Sequence, residues 1–176
     1  MRIPDDVRET VYDKVRADAE ELDWMALPAQ EKSRLYSSWA QDAEVGTVLL
    51  GFMSMSQVHR YIKDTLIKTY AQNKISDPAT ALPLLGLPPN TPQKKQYIKP
   101  PGVLLDDRRV IAWSIAKDWK TTLFAVYERA YEVKRATPHA AVLFGAEGRF
   151  ADTQYRTMVH DAATRLGIAN VVWNPL

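Results

Sequence analysis

Cysteine is absent from all 176 residues, which excludes a disulfide framework, a thiolate metal site and the thiol hydrolases. Stability has to come from packing, and a cytoplasmic setting is the expectation. Long apolar runs are missing too. No stretch approaches the ~20 apolar residues that a membrane helix needs, and the segment MRIPDDVRETVYDKV is acidic and amphipathic, without the apolar centre of a signal peptide. No membrane partner is expected. The three histidines, His59, His139 and His160, are far apart and have none of the spacings of a zinc site. There is no Gly-x-Ser-x-Gly elbow, no repeat and no low-complexity tract.

What is present is an ordinary globular composition, 46% hydrophobic and 25% charged, enough for one domain with a small appended lobe. The net charge of +2 hides an asymmetry. Residues 1–50 hold 11 acids against 6 bases, residues 51–135 hold 14 bases against 7 acids, and the rest balance at 3 against 3. Basic residues gathered on one face attract a polyanion, whereas scattered ones only keep a protein in solution. Both arrangements are open from the sequence.

Residues 1–75 read as a helical region. Pro4 opens a first helix, with Val7, Val11, Val15 and Leu22 at helical spacing; a second starts at Pro28, with Leu35, Tyr36 and Trp39 as its buried stripe. Val45 to Met53 is apolar but interrupted by Gly46 and Gly51, which fits either a close helix contact or a turn. A third helix is expected from a Ser54 or Ser56 cap to about Lys74, with Val58, Ile62, Thr65, Leu66, Thr69 and Tyr70 inward. Its other side carries Arg60, Lys63, Lys68 and Lys74 with Asp64 among them, a face suited to phosphates or simply to water.

Seven of the eleven prolines fall between Pro78 and Pro101, so residues 76–101 are expected to be a linker or wrapping loop. Its QKKQYIK segment is a candidate first strand. From Gly102 the periodicity becomes that of a mixed-sheet α/β core, residues 102–176. VLLDD and RVIAWSIA read as strands, Thr121 to Ala136 as a helix with Leu123, Val126, Tyr127, Ala130 and Val133 inward, and AAVLFG as a buried strand. Asp152 to Leu166 then forms a helix ended by Gly167, and NVVW a last strand. The order predicts an α/β fold: a helical half followed by a mixed sheet with helices packed on it.

Asp118-Trp119-Lys120 is an Asp-x-Lys. If the second strand runs through it, alternation puts both polar side chains on one face, with Asp106 or Asp107 on the neighbouring strand. Two carboxylates so placed hold Mg²⁺ through oxygen, and the lysine positions or deprotonates the attacking water for phosphodiester cleavage. Alternatively Asp118 is the N-cap of the following helix, with Lys120 exposed. With the elements that follow, residues 54–176 resemble the PD-(D/E)XK nuclease superfamily, whose core has the restriction-endonuclease-like order αβββαβ. Leu105 precedes Asp106 where that family often has proline, and Asp118 stands where glutamate is usual. The resemblance implies a catalytic set of Asp106, Asp107, Asp118 and Lys120, with Asp107 and Asp118 as ligands of a Mg²⁺ cofactor.

The basic residues Arg60, Lys63, Lys94, Lys95, Lys99, Arg108 and Arg109, with Tyr97 as a stacking residue, form the expected nucleic-acid contact set. The turn Gly145-Ala146-Glu147-Gly148-Arg149 stands where a phosphate can sit, but Glu147 repels an anion, so the turn reads as structural. Three readings follow: a nucleic-acid-associated protein with a nuclease-like core, the same fold binding nucleic acid or an acidic protein surface without catalysis, and an interaction or regulatory domain using the proline-rich span near Leu84 to Leu87.

Overall fold

Val11, Val15 and Ala19 are wholly buried at four-residue intervals, and that stripe is what makes α1 (Asp5–Glu21) a packed helix. A computed structural model describes residues 3–145 and 148–175. The chain divides into two units, Met1–Asn73 and Lys74–Leu176.

In the first unit, α1 starts after Pro4 with no side-chain cap, and Asp5 and Asp6 in its first turn complement the helix dipole. Asp23, in the left-handed region at φ 46°, turns the chain into a 3₁₀ turn, Trp24–Ala26. α2 (Ala29–Gln41) again starts after a proline. It is tied to α1 through Asp18, whose carboxylate accepts from Trp39 Nε1 (3.0 Å) and Lys14 Nζ (2.9 Å). α3 (Gly46–Leu50) lies so close to the Ala40 carbonyl that a Cβ at Gly46 would overlap it. The ambiguous Val45–Met53 stretch is therefore a close helix contact.

α4 (Met55–Tyr61) begins at Ser54, whose N–H donates to Gln57 Oε1 (2.9 Å). It continues through a π-helical segment, Ile62–Ile67, into α5 (Lys68–Ser76). A π turn spreads its residues more widely than an α turn. Leu66 and Ile67 are both buried as a result, while Thr65 and Thr69, expected inward from a regular 3.6-residue period, are exposed.

In the second unit, the proline-rich span is not loop throughout. α6 (Pro78–Ala81) has proline at its first position, where no N–H is needed, and Asp77 caps it by accepting from Ala79 N (2.8 Å). A 3₁₀ turn follows at Leu82–Leu85, and Ala81 and Leu82 are fully buried. QKKQYI forms β1 (Gln93–Ile98), one edge of a five-stranded sheet in the order β1-β2-β3-β4-β5. β2 (Pro101–Leu105) is antiparallel to β1 and to β3 (Arg109–Ile115). Arg108 takes the left-handed turn position, φ 71°, where glycine or asparagine is usual.

α7 (Trp119–Glu132) leads to β4 (Thr137–Phe144), parallel to β3, and α8 (Thr153–Arg165) leads to β5 (Asn170–Asn174), parallel to β4. Leu123, Val126 and Ala130 of α7 and Val159 and Ala163 of α8 share a core with Val110, Ala112, Ala141 and Leu143 of the sheet. Tyr127, expected inward, is 40% exposed. The alternate residues Val103, Ile111, Trp113 and Val142 point the other way and are also fully buried, and Trp113 Nε1 donates to the Ile75 carbonyl. A sheet buried on both faces accounts for the nearly continuous apolar runs of β3 and β4. The fold is mixed α/β. No helix among the described residues is long and apolar enough to cross a membrane.

Candidate functional site

β3 stops at Ile115, and Ala116–Asp118 form a 3₁₀ turn leading straight into α7. The strand therefore does not run through Asp118-Trp119-Lys120, and the alternation that would pair Asp118 with Lys120 on one sheet face does not arise. Asp118 does occupy the N-cap position of α7, but its side chain makes no cap bond; only its carbonyl is used, accepting from Thr122 Oγ1 (3.2 Å). Lys120 is exposed, its Nζ 5.7 Å from the Trp119 ring.

Asp106 and Asp107 lie at the opposite end of β3, in its turn with β2. Seven residues of strand separate them from the Asp118 turn, a span of roughly 20 Å at the rise of extended chain. The Asp107 carboxylate is also occupied: Oδ2 accepts from Arg109 Nε (2.8 Å) and Nη2 (2.8 Å), and Oδ1 from the Arg109 N–H (3.2 Å). Those bonds hold it below the usual carboxylate range. Arg109 Nη1 also faces His139 Nε2 (3.3 Å). Burial, and then the Arg109 charge, push His139 below its ordinary value. The carboxylates expected to hold Mg²⁺ are thus not brought together, and the residues present do not fit that ion as a shared ligand set.

Of the basic residues expected to contact nucleic acid, Lys94 and Lys95 lie on the edge strand β1 and Lys99 directly after it. Lys94, at an irregularity in the β1–β2 register, stands at the end of β1 nearest the Asp106–Arg108 turn, and Lys95 and Tyr97 pair with Leu104 and Gly102. Lys99, in the turn after β1, lines a recess of about 320 Å³ with Asp118 and Thr121. Arg108 and Arg109 are committed to structure, Arg108 through a bond to the Lys134 carbonyl and Arg109 through Asp107. Tyr97 is no open stacking platform, because Lys95 Nζ lies 4.8 Å and the Arg129 guanidinium 4.2 Å from its ring centre.

Arg129 was not legible as a site residue. It sits on the buried side of α7, 7% exposed, donates from Nη2 to the Pro100 carbonyl (2.8 Å), and leaves Nη1 buried without a partner. Burial lowers its pKa. Glycine at position 102 makes room for it, since a Cβ there would lie 2.6 Å from Arg129 Nη1.

The first unit gathers its cations differently. A cleft of about 610 Å³ is lined by Lys32, Ser33, Tyr36 and Ser37 from α2 and by His59, Arg60, Lys63 and Asp64 from α4 and the π segment. Each set has the spacing i, i+1, i+4, i+5, which places its members on one helix face. Lys32 is held at the wall, its Nζ donating to the Met25 carbonyl (3.1 Å) and lying 4.5 Å from the Trp24 ring. Burial, with Asp64 adding to it, raises Tyr36 above the ordinary phenol value. Arg60 and Asp64 also line a second recess of about 470 Å³ with Phe52, Met53 and Gln57. The sequence showed Arg60 and Lys63 but not Lys32 and His59, because no pattern within one helix says which other helix it faces.

Of the Gly145–Arg149 turn, Ala146 and Glu147 lie outside the described residues; Gly145 and Gly148 have φ 75° and 57°, and Asp152 caps α8 by accepting from Tyr155 N (2.8 Å). Comparison of the chain with protein-family models, with curated proteins and with solved structures finds no match.

Proposed function

We propose that this protein binds the phosphate backbone of nucleic acid without cutting it, through the α2–α4 cleft of the first unit and, as a separate contact, the lysine-bearing β1 edge of the second. The observation that carries this reading is the convergence of Arg60 and Lys63 with Lys32 on one cleft, where Asp64 is the acid beside them. Cations gathered on one cleft focus a positive potential there. Lysine and arginine in such a cleft neutralise phosphates and release counterions, a mode that does not depend on sequence. Lys94, Lys95 and Lys99 offer a second row of cations.

The restriction-endonuclease-like order enters this proposal only as a scaffold. Phosphodiester cleavage is not part of it, because Asp107 is engaged by Arg109 and a strand's length away from Asp118 and Lys120.

Fluorescence anisotropy with labelled single- and double-stranded DNA and RNA tests the reading. Binding is expected at about 50 mM salt and should weaken steeply toward about 200 mM. Arg60→Gln with Lys63→Gln should weaken all sequences alike and lower the salt slope by about 2, and Lys94→Gln, Lys95→Gln and Lys99→Gln together should lower it separately. Absence of binding at low salt, or binding indifferent to Arg60 and Lys63, refutes it.

A further inference from the structure

The outward face of α7 is aromatic. Phe124 is 60% exposed, Tyr127 40% and Tyr131 83%, and they follow one another at intervals of three and four residues, which aligns them along the helix. Their rings touch in sequence: Phe124 and Tyr127 meet edge to face with centroids 6.1 Å apart, and Tyr127 and Tyr131 stack at 6.4 Å. Lys120 continues the row by one turn. The sheet-facing side of the helix is already filled by Leu123, Val126 and Ala130, so these rings contribute nothing to that core. A soluble helix normally turns polar residues outward, and a contiguous exposed apolar row marks an interaction surface. Aromatic residues are also the side chains most enriched at the centres of protein interfaces.

The charges along the same helix identify what covers it. Lys120 stands in its first turn, with Lys117 in the 3₁₀ turn before it, and Glu128 and Glu132 stand in its last two turns beside the rings. Lys134 and Arg135 come after the helix has ended, and the Lys134 carbonyl is held by Arg108. A nucleic-acid strand laid on the rings would meet the two glutamates. A second copy of the helix in parallel would set lysine on lysine and glutamate on glutamate. A second copy running antiparallel lays Phe124 against the other copy's Tyr131, Tyr127 against Tyr127, and the lysine end of each helix beside the glutamate end of the other, with the helix dipoles opposed.

We infer that α7 is the interface of a two-fold symmetric dimer of this chain, built on antiparallel pairing of the Phe124–Tyr127–Tyr131 row. The arrangement is self-complementary, as a two-fold interface has to be. The three rings expose roughly 350 Å² between them, taking about 200 Å² for each whole side chain. That is under half of the ~800 Å² per partner of a standard stable interface, so the dimer belongs to the weak, concentration-dependent class. It shares no residue with the α2–α4 cleft, whereas Lys99 of the β1 contact lines one recess with Phe124, Glu128 and Glu132.

Sedimentation equilibrium on the full chain, from about 5 to about 500 µM, tests it. The expected result is a monomer–dimer equilibrium. Tyr131→Glu, at a side chain exposed enough to spare the fold, should raise Kd at least about tenfold, with an unchanged circular dichroism melt as the control. Lys120→Glu and Glu132→Lys should each weaken the dimer about two- to fivefold, the range of exposed ion pairs, while the two together in one chain should return it to within about twofold of the parent. A protein monomeric at every concentration overturns the proposal, leaving the row to a different protein. So does a dimer that Tyr131→Glu leaves intact, or a charge exchange that fails to restore association.

Discussion

The two units place their functional side chains by different geometry. In the first, every candidate residue stands on a helix, and the cleft exists because two stripes of identical spacing, 32–33–36–37 and 59–60–63–64, face each other. In the second, the candidates sit where regular structure stops: at the β2–β3 turn, on the unpaired edge of β1, and in the 3₁₀ turn before α7. A helix bundle leaves most of each helix's circumference free, so it can gather charges along its length. A sheet buried on both faces has only its edges and ends to offer. That is why acidic residues close in sequence to β3 end up a strand's length apart.

The sharpest way to break this comparison is to remove one tryptophan hydrogen bond from each unit. Trp113 is fully buried and donates to a backbone carbonyl, whereas the partner of Trp39 is the carboxylate of Asp18, which is 25% exposed and also bonded to Lys14. Trp113→Phe strands a buried acceptor and should cost about 2–3 kcal/mol in urea unfolding; Trp39→Phe leaves a carboxylate that water can reach and should cost about 1 kcal/mol. Equal losses would mean that the two units bury their polar groups alike.

Close backbone approach gives the next largest effect. Gly46 abuts the Ala40 carbonyl, and a Cβ at Gly102 would lie 2.6 Å from both the Ile111 carbonyl and Arg129 Nη1. Alanine at either position should destabilise by about 1–3 kcal/mol, the usual cost of overpacking. At Gly102 it should also displace Arg129 from Tyr97. Shortening the arginine in Gly102→Ala with Arg129→Met should recover only part of the loss, since the Ile111 carbonyl stays where it is. Full recovery would show that the guanidinium alone sets the close approach.

The smallest effect is electrostatic and confined to the second unit. Asp107 has its folded pKa lowered by Arg109, so its contribution is present above the unfolded value near 3.9 and is lost as pH falls through the folded value. His139 is also lowered, so its neutral form stabilises the fold above about 6.5, and that contribution declines once the unfolded chain begins to take up a proton there. Both therefore weaken the unit in acid. Asp107→Asn should cost about 0.5 kcal/mol at pH 7, the scale of an exposed ion pair, and progressively less below pH 4. A loss that does not depend on pH would assign the turn's stability to its backbone instead.

Much of the element order was legible. The apolar intervals of Val7, Val11 and Val15 and the continuous apolar run around Ile111 and Trp113 can be read without knowing the partner, whereas Leu22, read onto the same stripe of α1, stands at its end 46% exposed. The stop of β3 at Ile115 falls within one residue of the RVIAWSIA strand read from the sequence; what stayed open was whether that strand continues through Asp118, and the chain instead turns there as Trp119 enters the core between sheet and helix. The facing of Lys32 by Arg60 was hidden for a related reason: it is a property of a helix pair. Arg129 was read past because its position on α7 calls for an apolar residue, and only the missing side chain at Gly102 and the Tyr97 ring make space for a guanidinium.

The π segment at Ile62–Ile67 makes the first unit unusually sensitive to chain length. A π turn holds one residue more than the α turn it replaces, and one residue corresponds to about 100° of rotation around a helix. Deleting a single residue there would let the segment relax to ordinary α-helix, but His59 and Arg60 would then point about a quarter-turn away from their present direction relative to Tyr70. A substitution within the segment changes one side chain, while a deletion re-aims everything upstream of it. The number of residues between Tyr61 and Lys68, more than the identity of any one of them, decides where the cleft faces.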